Sequence, residues 1–324
     1  MSAEGPPQGA NYSPDGGRGP SVAAQPRAWG PLFAVVGVLG FSFKAILIKL
    51  AYAWTSIDPV TLLTLRMLYS APFFIAMAWL SGRAPSARPL TAADWRAIAW
   101  LGFLGYYFAS LLDFLGLQYI TAALERLVLF LNPTIVVVLS ALLLKKPITR
   151  RAVIALALSY AGIAFVLWQD LRVGGDIRAT TLGGALVFVS AIAYALYLVG
   201  ATDVIGRIGS SRFIAWAMLA STACVLIHFA VTRPFASLDV PASIHQLTLA
   251  MAVFSTVLPT WLIAESIRRM GANSASLVGS LGPVFTIGLG AMILGEPVHA
   301  LQLMGAALVL TGVLLVTARS NGGV

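Results

Sequence analysis

Residues 122–166 read AALERLVLFLNPTIVVVLSALLLKKPITRRAVIALALSYAGIAFV, and residues 272–316 read ANSASLVGSLGPVFTIGLGAMILGEPVHALQLMGAALVLTGVLLV. Laid over one another at an offset of 150 residues, they align without a gap and share 13 identities in 45 positions. Apolar composition alone produces several such matches. The matches that carry weight constrain the backbone: Pro133 falls on Pro283, Pro147 on Pro297 and Gly162 on Gly312. Leu131, Leu139, Ala141 and Leu144 fall on Leu281, Leu289, Ala291 and Leu294 in the same register. A repeat of this length, carried by continuously apolar runs, sets the architecture.

Each copy holds two runs long enough to cross a bilayer, whose core of about 30 Å takes roughly 20 helical residues. From Trp29 onward the pattern gives ten spans, at 30–52, 59–80, 97–117, 121–144, 152–168, 180–202, 212–231, 243–266, 272–294 and 300–318. They read as helices, because they are far longer than the roughly ten alternating residues of a membrane strand. Trp29, Trp79, Trp95 and Trp168 sit near span ends, where amphipathic rings meet the headgroups. The expected fold class is an all-α integral membrane protein with ten transmembrane helices in two five-helix repeats.

Five spans is an odd number, so the second repeat enters the membrane inverted. Loop charges agree: Lys145-Lys146 and Arg150-Arg151 correspond to Gly295-Glu296 and Ala300-Leu301, while Gln118-Tyr119 correspond to Arg268-Arg269. With the amino terminus inside, 14 basic residues lie on the cytoplasmic side and three (Arg172, Arg178, Arg233) outside. The positive-inside rule therefore predicts an inner-membrane protein with both termini cytoplasmic. The repeats are expected at 29–169 and 179–319. Residues 1–28, with ten Gly or Pro, are expected to form a disordered cytoplasmic tail. The sequon Asn11-Tyr12-Ser13 there reads as a chance match.

Composition closes off other classes. The 324-residue chain is 59% apolar and 10% charged, against about 45–50% and about 25% for a soluble domain. A compact fold of this size lacks the interior to hide so much apolar surface. Its formal +9 lacks the dense basic clusters on a polar chain that mark a nucleic-acid surface, so nucleic acid is not an expected partner. Cys224 is the one cysteine, and His228, His245 and His299 are scattered without ligand spacing, so no metal site is expected. No Gly-rich loop is followed by Lys-Ser or Lys-Thr. The sequence thus shows no cofactor motif and no ATP machinery, which leaves ion-gradient coupling or facilitated flow.

Seven ionisable residues fall inside the spans: Lys44, Lys49, Arg66, Asp113, Glu125, Arg126 and Glu265. Each costs several kcal/mol in lipid, by roughly 2.5–3.5 on insertion scales, so they should face a bundle interior, a cavity or a headgroup. At 1.5 Å per residue, Arg66 lies roughly 10 Å below the outer end of its span. Lys44, Asp113 and Glu125 also fall in the outer half, on neighbouring spans of the first repeat. This co-location predicts a substrate-binding or proton-coupling cluster of Lys44, Arg66, Asp113, Glu125 and Arg126. The competing reading is a set of ion pairs that locks the outer side. Adjacent Glu125 and Arg126 cannot share a helix face. Lys49 is expected to be a snorkelling anchor, and Glu265 a local partner of Arg268 and Arg269.

Mid-span polar and aromatic residues supply candidate cavity-lining groups: Tyr106, Tyr107, Ser110, Asn132, Tyr194, Tyr197, Thr260, Trp261 and Ser280. Pro133 and Pro283 should kink matched helices, and Pro259 a third; all three are candidate hinges. Gly279, Gly282, Gly288 and Gly290 are expected to serve helix packing.

From Pro283 through Leu294-Gly295-Glu296-Pro297 to Gly305-Ala306-Ala307-Leu308 and Gly312, the chain resembles the drug/metabolite transporter superfamily, specifically its EamA-type members. The resemblance covers about residues 30–318. The first half keeps Pro133 and Gly162 but has Leu144-Lys145-Lys146-Pro147 where the family often has Gly-Glu. The resemblance implies a ten-helix transporter, commonly an exporter of small metabolites, with a central cavity lined by both halves. With more cations than anions in the cluster, the expected cargo is an amino acid or another carboxylate-bearing solute, and proton antiport is the coupling to test. Rival readings are a multi-pass enzyme acting on lipid, which lacks an acid-rich metal motif, and a channel, which an inverted repeat does not favour. The expected partners are a small-molecule metabolite, the lipid bilayer and protons. Monomer and homodimer stay open.

Overall fold

The computed structural model describes residues 29–83, 88–145, 147–173 and 176–317. The amino-terminal tail with its sequon, Lys146 and the last residues of the chain lie outside these. The elements are α1 (Gly30–Trp54), α2 (Pro59–Gly82), α3 (Ala92–Gly102), α4 (Ala109–Gly116), α5 (Ala122–Leu129), α6 (Asn132–Leu144) and α7 (Arg150–Val173). They continue as α8 (Ile177–Ile208), α9 (Ser210–Thr232), α10 (Ala242–Ala252), α11 (Leu258–Met270), α12 (Ala272–Gly279), α13 (Gly282–Leu289) and α14 (Ala300–Thr317). Nine segments among the described residues are long and apolar enough to cross a membrane, and Ala300–Leu315 adds a shorter apolar helix. The protein is an all-α, multi-pass membrane protein.

Polar caps decide where helices begin. Asp58 accepts from the Val60 and Thr61 N–H groups ahead of α2, and Thr91 with Asp94 forms a capping box ahead of α3. Asp176 accepts from the Arg178 and Ala179 N–H groups ahead of α8. The helix ladder starts at the cap, several residues before the apolar run. The third and sixth spans therefore begin at Ala92 and Ile177, earlier than hydropathy places them.

Mid-span, the kinks expected at Pro133 and Pro283 are breaks. Each of these prolines stands in the first turn of a new helix, where the missing N–H costs nothing. The fourth span is thus two half-helices, α5 and α6, and the ninth is α12 and α13. Pro259 differs: it lies inside the continuous helical segment Ala242–Met270, just after a π-helical turn at Val253–Val257 that takes up the lost bond. A second π-turn, at Phe103–Phe108, precedes α4 at the matching place 150 residues earlier. Such turns rotate the following face of a helix and recur at functional sites.

The first α6-to-α7 turn and its counterpart share another feature. Lys145 (φ 54°) and Gly295 (φ 68°) both take left-handed backbone at the helix end. A glycine bears this conformation freely, whereas a side chain costs about 1–2 kcal/mol there. Lys145→Gly is therefore expected to stabilise the protein by about 1 kcal/mol. The thermal unfolding midpoint should rise, and a fall would contradict the assigned cap.

Packing runs α1 on α11, α2 on α9, α4 on α8 and α7 on α14. The α7–α14 crossing brings two backbones close together. A Cβ at Gly162 would stand 2.5 Å from the Gly305 carbonyl oxygen, and one at Gly305 2.6 Å from that of Gly162. Gly312 meets Ser159 and the Ala155 carbonyl in the same way. The pair Gly162–Gly305 maps onto Gly312–Ala155 when the 150-residue offset is applied in both directions. Small residues let backbones approach where lipid gives no hydrophobic drive. The interior buries Phe74, Phe114, Phe213 and Phe229, while Leu142, Val231 and Met292 are exposed. That outward apolar surface is what the chain's composition reflects.

Candidate functional site

Lys44 on α1, Asp113 on α4 and Glu125 on α5 meet at one point. Lys44 Nζ lies 2.7 Å from Asp113 Oδ2 and 3.2 Å from Glu125 Oε1. Both carboxylates are buried. One ammonium therefore serves two carboxylates from two other helices. The π-turn before α4 and the short length of α5 set the faces that bring them together. Arg66 is buried on α2, donates to Ser110 Oγ at 3.2 Å, and lies with Cζ 4.9 Å from the Phe114 ring centre.

Arg126 interacts electrostatically with Glu125 and Asp113 and also reaches the second half. Its Nη2 lies 2.7 Å from where a Cβ would sit at Gly282, so a side chain there would require the guanidinium to shift. Arg126 thereby reaches the first turn of α13, and Ser42 donates to the Gly282 carbonyl at 3.1 Å. Several buried polar atoms around this point have no hydrogen-bond partner: Arg66 Nε, Asp113 Oδ1, Glu125 Oε2, Arg126 Nε and Asn132 Oδ1. Buried polar atoms are normally satisfied, and a concentration of unmatched ones marks a place built for an additional polar group.

The aromatic candidates divide. The Tyr106 and Tyr197 hydroxyls are 2.8 Å apart, and the Tyr194 ring lies 5.3 Å from that of Tyr197. Tyr107 pairs with His228 Nδ1 at 3.0 Å. Asn132 donates to the Leu129 carbonyl at 2.6 Å, across the α5–α6 break. Thr260 instead donates to the Thr256 carbonyl within its own helix, and Ser280 to that of Leu277. Trp261 is 54% exposed, packed against Phe33. The structure does not gather these last three with the others. Glu265 bonds both Arg268 and Arg269.

Sequence reasoning missed a second polar group, at the end of the bundle where α5 begins. Lys49, expected to snorkel, instead donates to the Ile120 carbonyl at 2.7 Å. Asp170 Oδ2 accepts from Thr121 N–H at 3.1 Å and its hydroxyl at 2.8 Å. Glu296 Oε1 accepts from Ala122 N–H at 2.9 Å. Burial pushes the Glu296 carboxyl above the usual carboxylate range, against the opposing pull of the Ala122 N–H and Lys49. At Asp58, burial also pushes upward, but hydrogen bonds from Thr61 and Arg233 outweigh it and hold the carboxyl below its ordinary value. The signal for Glu296 was its place, directly after the left-handed Gly295, opposite Lys146 in the repeat. Among the described residues no group of three or more His, Cys, Asp or Glu could hold a metal ion.

Comparison with known proteins places this geometry in context. The profile of the EamA-like transporter family matches residues 28–168 and 181–318. The chain is 29% identical to the uncharacterized transporter YcbK of Bacillus subtilis (strain 168), over 86% of this chain and 89% of that one. It is 26% identical to a Streptantibioticus cattleyicolor protein named "Probable terminal-alkyne amino-acid exporter", over 76% of this chain and 81% of the relative. A solved crystal structure, 19% identical, superposes with a TM-score of 0.62 over 91% of this chain and 98% of its own. The likeness to that structure concerns the fold alone.

Proposed function

The chain belongs to the EamA-like transporter family, and from that premise we propose that it exports a small carboxylate-bearing metabolite, an amino acid first of all. The route is alternating access across the inner membrane, with both termini cytoplasmic and two inverted five-helix halves at 29–169 and 179–319. The observation that carries the reading is Lys44 shared between Asp113 and Glu125, ringed by unmatched buried atoms. The amino-acid name of one relative supports the solute class.

In this mechanism the solute carboxylate takes the free donors of Arg66 and Arg126, in charge-assisted hydrogen bonds. Its ammonium competes with Lys44 for Asp113 and Glu125. Two carboxylates beside one cation cannot both stay ionised without that cation. Displacing Lys44 therefore favours a bound ammonium, and a proton entering the pair favours its release. That exchange couples solute to protons. Tyr106, Tyr194 and Tyr197 offer ring faces and hydroxyls to an organic side chain. The α5–α6 and α12–α13 breaks at Pro133 and Pro283, with the π-turn before Pro259, are the places where the two access states bend.

A metabolite panel tests the solute class by thermal stabilisation of the purified protein. A ligand at 100 times its Kd adds about 2.7 kcal/mol to the native state. Amino acids are expected to raise the unfolding midpoint, whereas their amides and decarboxylated amines should not. Equal stabilisation by amines lacking a carboxylate contradicts the proposed roles of Arg66 and Arg126.

A further inference from the structure

We propose that Glu296, Asp170 and Lys49 form a polar latch on the start of α5, and that this latch biases the empty transporter towards closure at that end. The inference rests on the alternating-access reading above, in which this end is the outer one.

α5 has eight residues and is cut from α6 by the Phe130–Leu131 turn. A piece this short moves as a unit. Its first turn is held from three directions: by Glu296, ahead of α14, at 2.9 Å; by Asp170, on α7, at 2.8 and 3.1 Å; and by Lys49, on α1, through the Ile120 carbonyl at 2.7 Å. Two carboxylates at a helix amino terminus satisfy otherwise orphaned N–H groups and complement the helix dipole. One turn further on, Glu125 of the same half-helix shares Lys44 with Asp113. A polar recess of about 150 Å³, lined by Lys49, Gln118, Thr121 and Asp170 among others, lies beside the latch.

Glu296 and α5 are parts of different halves, so their bond breaks when the halves part at this end. The opposite end has no counterpart in the sequence. At the 150-residue offset Lys49 becomes Val199, Asp170 becomes Ser320, and Glu296 corresponds to Lys146. Lys44, Asp113 and Glu125 become Tyr194, Ile263 and Ala275. In a perfect inverted repeat the two closed states are related by exchange of halves and have equal energy. Here the closed state at this end gains the cross-half Glu296–Ala122 bond, which Asp170 and Lys49 hold in register from α5's own half, and an equilibrium follows such a difference directly. Asp94 with Arg207, 3.3 Å apart, does tie α3 to α8. That pair, with Arg88 on the same carboxylate at 3.1 Å, also joins the two halves, but Arg88 and Arg207 are both exposed, and exposed ion pairs contribute little.

Spin labels at Tyr119→Cys and Val298→Cys, both exposed sites, in a Cys224→Ser background, span the latch. Pulsed dipolar distances are measured in nanodiscs with no solute added. The otherwise unaltered protein is expected to show one dominant short distance. Glu296→Ala should raise the longer-distance population roughly threefold to thirtyfold, the span of a lost helix cap. Glu296→Asp, one methylene too short to keep the 2.9 Å bond to Ala122 N–H, should act in the same direction, and it keeps the test open if the first variant does not fold by circular dichroism. A distribution that neither variant moves, or two equal populations without either, overturns the latch. Because no solute is present, that outcome leaves the solute site standing, and a failed exchange assay leaves the latch standing.

Discussion

Asp113→Asn is expected to cut solute exchange by about one to two orders of magnitude while the protein still inserts and folds. Asparagine fills the same space but carries no charge. Lys44 then keeps only Glu125, and the pair can no longer trade an ammonium for a proton. A hydrogen bond to a charged group contributes about 1.5–3 kcal/mol, and each 1.4 kcal/mol is about tenfold. Arg66→Ala should lose exchange to a similar extent, because it removes the buried guanidinium beside Ser110 and Phe114. Glu265→Gln is the control. Its partners Arg268 and Arg269 are neighbours on the same helix, and such local pairs contribute little. The measurement is the initial exchange rate per inserted molecule in vesicles. Rates equal to the original for both Asp113→Asn and Arg66→Ala end this account of the site.

Gly162→Leu is expected to prevent stable folding, and Gly162→Ala to destabilise by about 1–3 kcal/mol, the range of overpacking in a filled interior. Even one methyl group would meet the Gly305 carbonyl at 2.5 Å and the Val309 backbone nitrogen at 3.0 Å. Neither is the free end of a side chain, so α7 and α14 must separate. Gly288→Ala supplies the contrast, since a Cβ there meets nothing within 4 Å. In a helix interior that change stabilises by roughly 0.5–1 kcal/mol. Thermal unfolding midpoints in one detergent compare the variants. A Gly162→Ala protein as stable as the original contradicts the close crossing.

How much of this was legible in the sequence depends on the physics of each feature. Long apolar runs announce spans, because every residue of a membrane helix meets lipid or packing. The matched prolines announced disturbed helices at Pro133 and Pro283, but not that the ladder stops. A proline has the same ring whether it kinks a helix or opens a new one, and only the backbone of residues 130–131 and 280–281 decides. The three π-turns, at Phe103–Phe108, Val253–Val257 and Gly290–Leu294, were invisible, since one extra residue in a turn leaves an apolar run apolar. Lys44, Asp113 and Glu125 were legible as a group, because charge inside a span is expensive wherever it lies. Trp261 was not legible: tryptophan serves a cavity wall and a lipid surface equally well, and packing against Phe33 chose the latter. Glu296 and Asp170 stand at span ends, where a charge costs little and so signals little. Their partners are backbone N–H groups, which no side-chain pattern reveals.

Counterflow in proteoliposomes tests the central claim, that this chain is a carrier whose solute meets the Lys44–Asp113–Glu125 cluster. Vesicles loaded with an unlabelled stabilising amino acid are diluted into trace labelled solute. A carrier is predicted to accumulate label transiently above equilibrium, through trans-acceleration, and Asp113→Asn is predicted to abolish the overshoot. Monotonic equilibration without overshoot, unaffected by solute on the far side, would mark a channel and contradict the account.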